Sequence, residues 1–279
     1  MPELPEVETV IRTLRPQLEG RSIRQVEVRQ VEVRHEDVIH HPAPADFIAR
    51  LQGRTIAELH RRGKYICVTL DDGQLLAAHL RMTGRLLAAD PAQELLPHTH
   101  VIMDLSDGRQ LRYADVRRFG GFWLLAKGEE DTCTGMERLG LEPLGDGFTA
   151  DYLTSRLGRR ACPVKNGILD QSVIAGLGNI YADETLFAAG VRPERECRSL
   201  TEEEWQKIAA VIPPILEAAI SHKGTTFSDF LDGTGREGEN AAFLQAYGRA
   251  GQPCLKCGAI MEKTRIGGRG TCFCPCCQK

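Results

Sequence analysis

Residues 254–277 read CLKCGAIMEKTRIGGRGTCFCPCC. Cys254 and Cys257 form one CxxC knuckle, and Cys274 and Cys277 form a second after sixteen intervening residues. This is zinc-ribbon spacing, in which each knuckle presents two thiolates to one tetrahedral ion. With all four positions filled, no coordination site stays open for metal catalysis. One structural Zn2+ is expected. Cys272 and Cys276 are alternative ligands on paper, although their CxxxC or CxC spacings suit a knuckle less well, and a redox-active tail is the remaining reading. The other cysteines, Cys67, Cys133, Cys162 and Cys197, are scattered singly and read as small buried hydrophobes.

Upstream of the ribbon the pattern is helical from about residue 131. Thr201-Glu-Glu-Glu204 is a capping box with Leu200 and Trp205 at the staple positions. The helix it starts is expected to reach about His222, with a kink at Pro213-Pro214. The Gly-rich, charged stretch Asp232–Asn240 reads as a mobile loop. Residues 22–125 have a different character. Val26, Val28, Val31 and Val33 alternate with polar residues across one register change. Strand-like runs follow at Ile66–Leu70, Leu75–Leu80, Val101–Leu105 and Phe122–Leu125, with Asp72-Gly73 and Asp107-Gly108 as hairpin turns. At the start, Val7, Val10, Ile11, Leu14 and Leu18 mark one face of a helix over residues 4–18, with Pro5 in its first turn. The fold class is α+β: an N-terminal helix with an antiparallel β-sandwich, then a helical domain, then the ribbon.

The 279 residues suit one large or two modest domains, and 42% hydrophobic with 26% charged residues is ordinary globular composition. A formal charge of −3 excludes a wholesale basic coat for nucleic acid but leaves room for a local basic cleft. No apolar run is long enough for a membrane span, and the opening MPELPEVETV carries acids where a secretory signal has a basic region. An intracellular protein is expected.

MPELPEVETV, HLRMTG at 79–84, DVRRFGG at 115–121, GLGNIYADE at 176–184 and the CxxC pair occur in an order that resembles bacterial formamidopyrimidine-DNA glycosylases from residue 2 to the end. The resemblance implies three regions: a catalytic β-sandwich domain at 1–130, a helix–two-turns–helix (H2TH) domain with a base-capping loop at 131–244, and a zinc finger at 245–279. It implies a monomeric, cytoplasmic, nucleoid-associated enzyme of base excision repair. Its partner is double-stranded DNA carrying oxidised purines or abasic sites. Its reaction is base excision through an N-terminal proline Schiff base, followed by β,δ-elimination.

On those positions the resemblance makes Pro2 the nucleophile, once Met1 is removed. An α-amino group titrates near 8, so about a tenth of it is neutral at pH 7, far more than of an ordinary lysine. Glu3 becomes the proton donor, with Glu6 one turn on in the same site. Lys64, in the basic run Arg61-Arg62-Gly63-Lys64, contacts phosphate and assists β-elimination, and Arg269 grips phosphate and serves δ-elimination. His79, His98, Lys165 and Asn179 are implied DNA contacts. Met82, Arg117 and Phe119 match the wedge that fills the gap left by a flipped nucleotide; on residue type alone, Met82 and Phe119 would be core. Thr83 stands where some relatives carry an acid or a serine beside the base pocket, which bears on base selectivity. Two rivals remain: an endonuclease VIII-like enzyme for oxidised pyrimidines, and a zinc-ribbon DNA-binding protein without catalysis.

Overall fold

The computed structural model describes residues 1–18, 26–129 and 131–279, and of residues 26–29 the backbone alone. Two compact units emerge. The first comprises Met1–Glu137 and His222–Glu239, the second Arg138–Ser221 and Asn240–Lys279.

In the first unit, helix α1 (Leu4–Leu18) is the one its spacing predicts, and Val7, Val10, Ile11, Leu14 and Leu18 are all fully buried. Among the described residues nine strands follow: β1 (Val26–Val33), β2 (Ile39–His41), β3 (Thr55–Arg62), β4 (Tyr65–Leu70), β5 (Leu75–His79), β6 (Arg85–Ala89), β7 (Thr99–Leu105), β8 (Gln110–Ala114) and β9 (Gly121–Leu125). They hydrogen-bond in the order β2-β9-β5-β4-β3-β1-β7-β8-β6. Strand β1 belongs to both arms: it pairs with β3 through Val26 and Glu27, then with β7 from Val28 onward. A bulge between Val28 and Gln30 lies at the expected register change; the side chains of Val26 and Val28 fall outside the described residues. Both arms feed one core with α1 and the short helix α2 (Pro44–Leu51), where Ile66, Leu76 and Phe122 meet Met103, Leu111 and Tyr113. The sandwich is antiparallel with one exception, since β2 runs parallel to β9.

Both expected hairpin turns form, with Gly73 at φ +83° and Gly108 at φ +87° supplying left-handed backbone. The stretch at 232–240 departs from its mobile reading. Asp232, only 3% exposed, accepts from the Thr234 and Arg236 amides, while Gly233 donates to Thr13 on α1 and accepts from the Ala88 amide on β6. Gly233 serves tight approach, as a Cβ there would sit 2.5 Å from Leu14.

The second unit contains α3 (Ala150–Leu157), α4 (Val164–Leu169), α5 (Asn179–Ala189) and α6 (Glu202–Ser221). Helix α6 begins at the predicted box, with the Glu204 amide donating to Thr201 and the Thr201 amide to Glu204, and it runs through Pro213-Pro214 as one helix. Strands β10 (Glu262–Ile266) and β11 (Arg269–Phe273) form the ribbon hairpin. Phe187 of α5 joins Met261, Cys254 and Cys274 in a small core beneath it. Cys67 and Cys197 are buried as expected, whereas Cys133 is exposed and Cys162 half-buried. No helix among the described residues is long and apolar enough to cross a membrane.

Candidate active site and nucleic-acid interface

The first turn of α1 carries the N-terminal cluster. Pro2 is buried while Met1 is 46% exposed, so the residue whose removal the resemblance implies is accessible and Pro2 itself is held by the fold. Glu3 and Glu6 are 2% and 1% exposed. Glu6 accepts the Glu3 amide on one oxygen (2.9 Å) and the Thr225 amide on the other (2.8 Å). It thereby satisfies an orphan donor at the helix start and ties that start to the returning segment 222–239. Gly224 (φ +78°) packs on it, and a Cβ there would lie 3.1 Å from Glu6 Cγ. With both oxygens engaged by backbone donors, Glu6 is built to position.

Lys64 sits in the two-residue turn between β3 and β4, where Gly63 at φ +55° takes the first central position. It is 7% exposed. The turn is braced by Arg61, which donates to the Gly63 carbonyl (3.1 Å) and pairs with Glu8 of α1 (3.2 Å). His79, at the end of β5, is also buried. Burial pushes its pKa down to about 3, with the charges of Arg81 and Lys64 adding to the effect. Its Nδ1 accepts the Arg81 amide (2.9 Å), so the neutral ring presents Nε2–H as a donor. His98 is exposed in a left-handed conformation, φ +62°.

Met82, Arg117 and Phe119 are brought together on two adjacent loops. Arg117 Nη1 lies 2.9 Å from Met82 Sδ, and its guanidinium stacks 4.4 Å above the Phe119 ring. Met82 and Phe119 are 42% and 53% exposed, which removes the core reading that their residue types suggest. A cation stacked on an aromatic ring beside a thioether is a stiff apolar projection with a donor fork at its tip.

In the second unit Gly178 caps α5 and Asn179 opens it. Asn179 Nδ2 donates to the Gly270 carbonyl (3.0 Å), while its Oδ1 is buried without a hydrogen-bond partner among the described residues. Arg269 is exposed just past a Gly267-Gly268 turn, both residues at positive φ (+54°, +77°). A Cβ at Gly267 would also meet the Asn166 side-chain amide at 2.4 Å, so that side chain would have to move.

Lys165, expected against DNA, lies beneath this hairpin with no exposed surface. Its Nζ contacts Asp183 Oδ1 at 2.6 Å, Thr271 Oγ1 at 2.8 Å and the Gly270 carbonyl at 3.1 Å. Asp183 also accepts the Cys272 amide (2.9 Å), and burial pushes its carboxyl up to about 6 against the pull of Lys165. Its neighbour Glu184 accepts the amides of Gln245, Ala246 and Tyr247. Both acids stand in the motif GLGNIYADE, whose residue types alone assign neither a role.

The four expected zinc ligands converge. Sγ of Cys254, Cys257, Cys274 and Cys277 all lie within 4.8 Å of one another, with the pairs Cys254–Cys277 at 3.9 Å and Cys257–Cys274 at 3.5 Å. Sulfurs bound tetrahedrally at about 2.3 Å stand about 3.8 Å apart, so the set fits Zn2+. The Lys256 and Cys277 amides point at Cys254 and Cys274 Sγ, where they stabilise thiolates. Cys272 and Cys276 are outside the cluster.

Three family profiles cover the chain: "Formamidopyrimidine-DNA glycosylase N-terminal domain" over residues 1–122, "Formamidopyrimidine-DNA glycosylase H2TH domain" over 139–230, and "Zinc finger found in FPG and IleRS" over 251–279. In this order they define a DNA glycosylase with an H2TH element and one structural zinc. A formamidopyrimidine-DNA glycosylase of Symbiobacterium thermophilum is 47% identical over 100% of this chain and 89% of its own length. Two solved structures, each 34% identical and covering both chains fully at a TM-score of 0.90, are similar throughout. One is a Lactococcus lactis FPG mutant with Fapy-dG-containing DNA, the other MutM with DNA containing carbocyclic 8-oxo-G. The chain belongs to the formamidopyrimidine-DNA glycosylase family.

Proposed function

We propose that this protein excises oxidised purines, 8-oxoguanine and formamidopyrimidines, from duplex DNA in base excision repair and then cuts the abasic strand. The Pro2 amine, freed of Met1, bonds to C1′ as the C1′–N bond to the base breaks; the departing base takes up the proton the amine sheds, and Glu3 delivers a proton to O4′ as the C1′–O4′ bond opens. The resulting iminium is the electron sink for β- and then δ-elimination. Glu6 holds the start of α1 in register with Thr225. Lys64 meets the phosphate beside the reacting sugar. His79 and His98 donate to the DNA backbone, and Arg269 and Asn179 grip phosphate in the second unit. Lys165 supports those two from below. Met82, Arg117 and Phe119 fill the space vacated by the extruded nucleotide. The protein works as a monomer in the cytoplasm, held at the nucleoid by DNA.

The observation that carries this reading is the buried Pro2–Glu3 pair at a helix start beneath an exposed, removable Met1. Borohydride added during reaction with an 8-oxoguanine duplex should trap a covalent protein–DNA adduct, and an N-terminal extension that keeps the amine acylated should abolish it. Undiminished trapping by the extended protein would move the nucleophile to a lysine. Thymine glycol duplexes run in parallel separate this activity from an oxidised-pyrimidine enzyme.

A further inference from the structure

The two loops that carry the wedge share one buried anchor. Asp115 closes β8 and is 1% exposed. Its Oδ1 accepts the Thr83 hydroxyl (2.5 Å) and the Arg117 amide (3.1 Å), and its Oδ2 accepts the Tyr113 hydroxyl (3.1 Å) and the Gly120 amide (3.0 Å). Thr83 Oγ1 also accepts the Arg117 amide at 3.2 Å. The backbone of Asp115 is fixed as well, its carbonyl facing His100 Nε2 (2.8 Å) and its amide donating to the His98 carbonyl (3.0 Å).

One carboxylate therefore spans both loops. The 81–84 loop, with Met82, is reached through Thr83. The 116–120 loop is held at both ends, by the amides of Arg117 and Gly120. The local backbone leaves no slack at the far end, because a Cβ on Gly120 would meet the His79 carbonyl at 2.3 Å and the Tyr113 hydroxyl at 2.5 Å. Burial and the Asp115 charge push the Tyr113 hydroxyl far above the usual phenol range, so it remains a donor to Asp115. Charge-assisted bonds of this kind are the stronger sort, and a fully satisfied buried carboxylate fixes the geometry of whatever carries its donors.

We propose that Asp115 and Thr83 are positioning residues that hold Met82, Arg117 and Phe119 in one preformed wedge, and that they set the preference for the base opposite the lesion by placing the Arg117 donor fork where it can meet the Watson–Crick edge of that unpaired base. The proposal rests on the wedge reading above. In this chain the Thr83 hydroxyl is committed to Asp115 and Arg117, so residue 83 acts on selectivity from the wedge side. An acid at the same position would bring a second carboxylate against Asp115, and like charges at hydrogen-bonding distance repel. A short hydroxyl side chain, threonine here, completes this clamp.

The test uses single-turnover excision by the full-length, Met1-processed protein on 8-oxoguanine duplexes with cytosine or adenine opposite, and strand cleavage of a preformed abasic duplex. Thr83→Val keeps shape and removes the hydroxyl from a half-buried site, so it reads the clamp even if Asp115→Asn fails to fold. Thr83→Val should slow lesion excision about tenfold and abasic cleavage less than about twofold, with the cytosine-to-adenine ratio falling several-fold. Thr83→Ser should restore both rate and ratio. Asp115→Asn should show the same pattern more strongly. Phe119→Ala serves as the wedge reference. If Phe119→Ala separates lesion from abasic duplexes while Thr83→Val leaves rate and ratio unchanged, the clamp proposal is overturned and the wedge stands. If Phe119→Ala slows both duplexes equally, the wedge reading fails and the clamp fails with it.

Discussion

Lys165 and Asp183 form an ion pair at 2.6 Å with side chains 0% and 1% exposed, and the pair sits directly under the hairpin that presents Arg269. Lys165 reaches the Gly270 carbonyl and Thr271, Asp183 takes the Cys272 amide, and Asn179 takes Gly270 from the side. Removing Lys165 leaves the Asp183 carboxylate buried without its countercharge. Lys165→Met should cost about 3–5 kcal/mol of stability and loosen the hairpin, so that DNA binding falls with it. The double variant Lys165→Met, Asp183→Leu should recover much of the melting temperature. A single variant as stable as the parent, measured by denaturant unfolding, would show that the pair does not hold the hairpin.

His79 gives a pH dependence with a definite sign. Its folded pKa, near 3, is depressed below the ordinary 6.5 because burial penalises the imidazolium. Between these values the unfolded chain binds the extra proton, so stability rises with pH across the window and is complete above about 6.5. The contribution at neutral pH is at most about 4–5 kcal/mol. The melting temperature should fall as pH drops from about 6.5 toward 4, and His79→Gln should flatten that part of the profile. Equal slopes for the two proteins would refute it.

The two acids of the first turn should separate by readout. Glu6→Gln sets an amide NH2 against one of two backbone donors, which should cost about 1–3 kcal/mol and lower the melting temperature. Glu3→Gln should leave the fold intact and abolish base excision, because an amide carries no transferable proton. Matched single-turnover rates and melting curves decide. A Glu3→Gln protein that excises at the parent rate would remove the proton-relay role.

Metal content tests the ribbon. One zinc per chain should be found, and Cys257→Ser should release it and unfold the ribbon, since binding energy at such sites is folding energy. Cys272→Ser and Cys276→Ser should keep it, as neither sulfur belongs to the cluster. Zinc lost from either of the latter variants would redraw the ligand set.

What the sequence makes legible is what is periodic or locally punctuated. Helix α1 follows from five apolar residues at helical spacing, the two hairpins from Asp-Gly pairs, and the zinc set from CxxC spacing. Strand β2 has three residues and pairs in parallel with β9, some 80 positions later, so nothing local announces it. Lys165 looks like any surface cation until its partners appear, 18 positions on at Asp183 and about 105 positions on in the hairpin. Met82 and Phe119 carry core residue types in exposed places, where apolarity marks a surface that waits for a partner. The 232–240 stretch has a mobile composition but is pinned by Thr13 and Ala88, neither of them close in sequence.

The hydrogen bond between Thr225 and Glu6 joins residues 219 positions apart. At about 5–20 residues per second, a ribosome spends roughly 10–40 s between making the two. Throughout that interval the helix start that bears Pro2 lacks the strap that closes its unit, and the chain must complete α3 to α6 before the strap emerges. A nascent chain stalled anywhere short of residue 225 therefore carries the N-terminal residues proposed for the chemistry without the contact that holds Glu6. On a DNA glycosylase this ties completion of the proposed N-terminal site to synthesis of at least 225 residues.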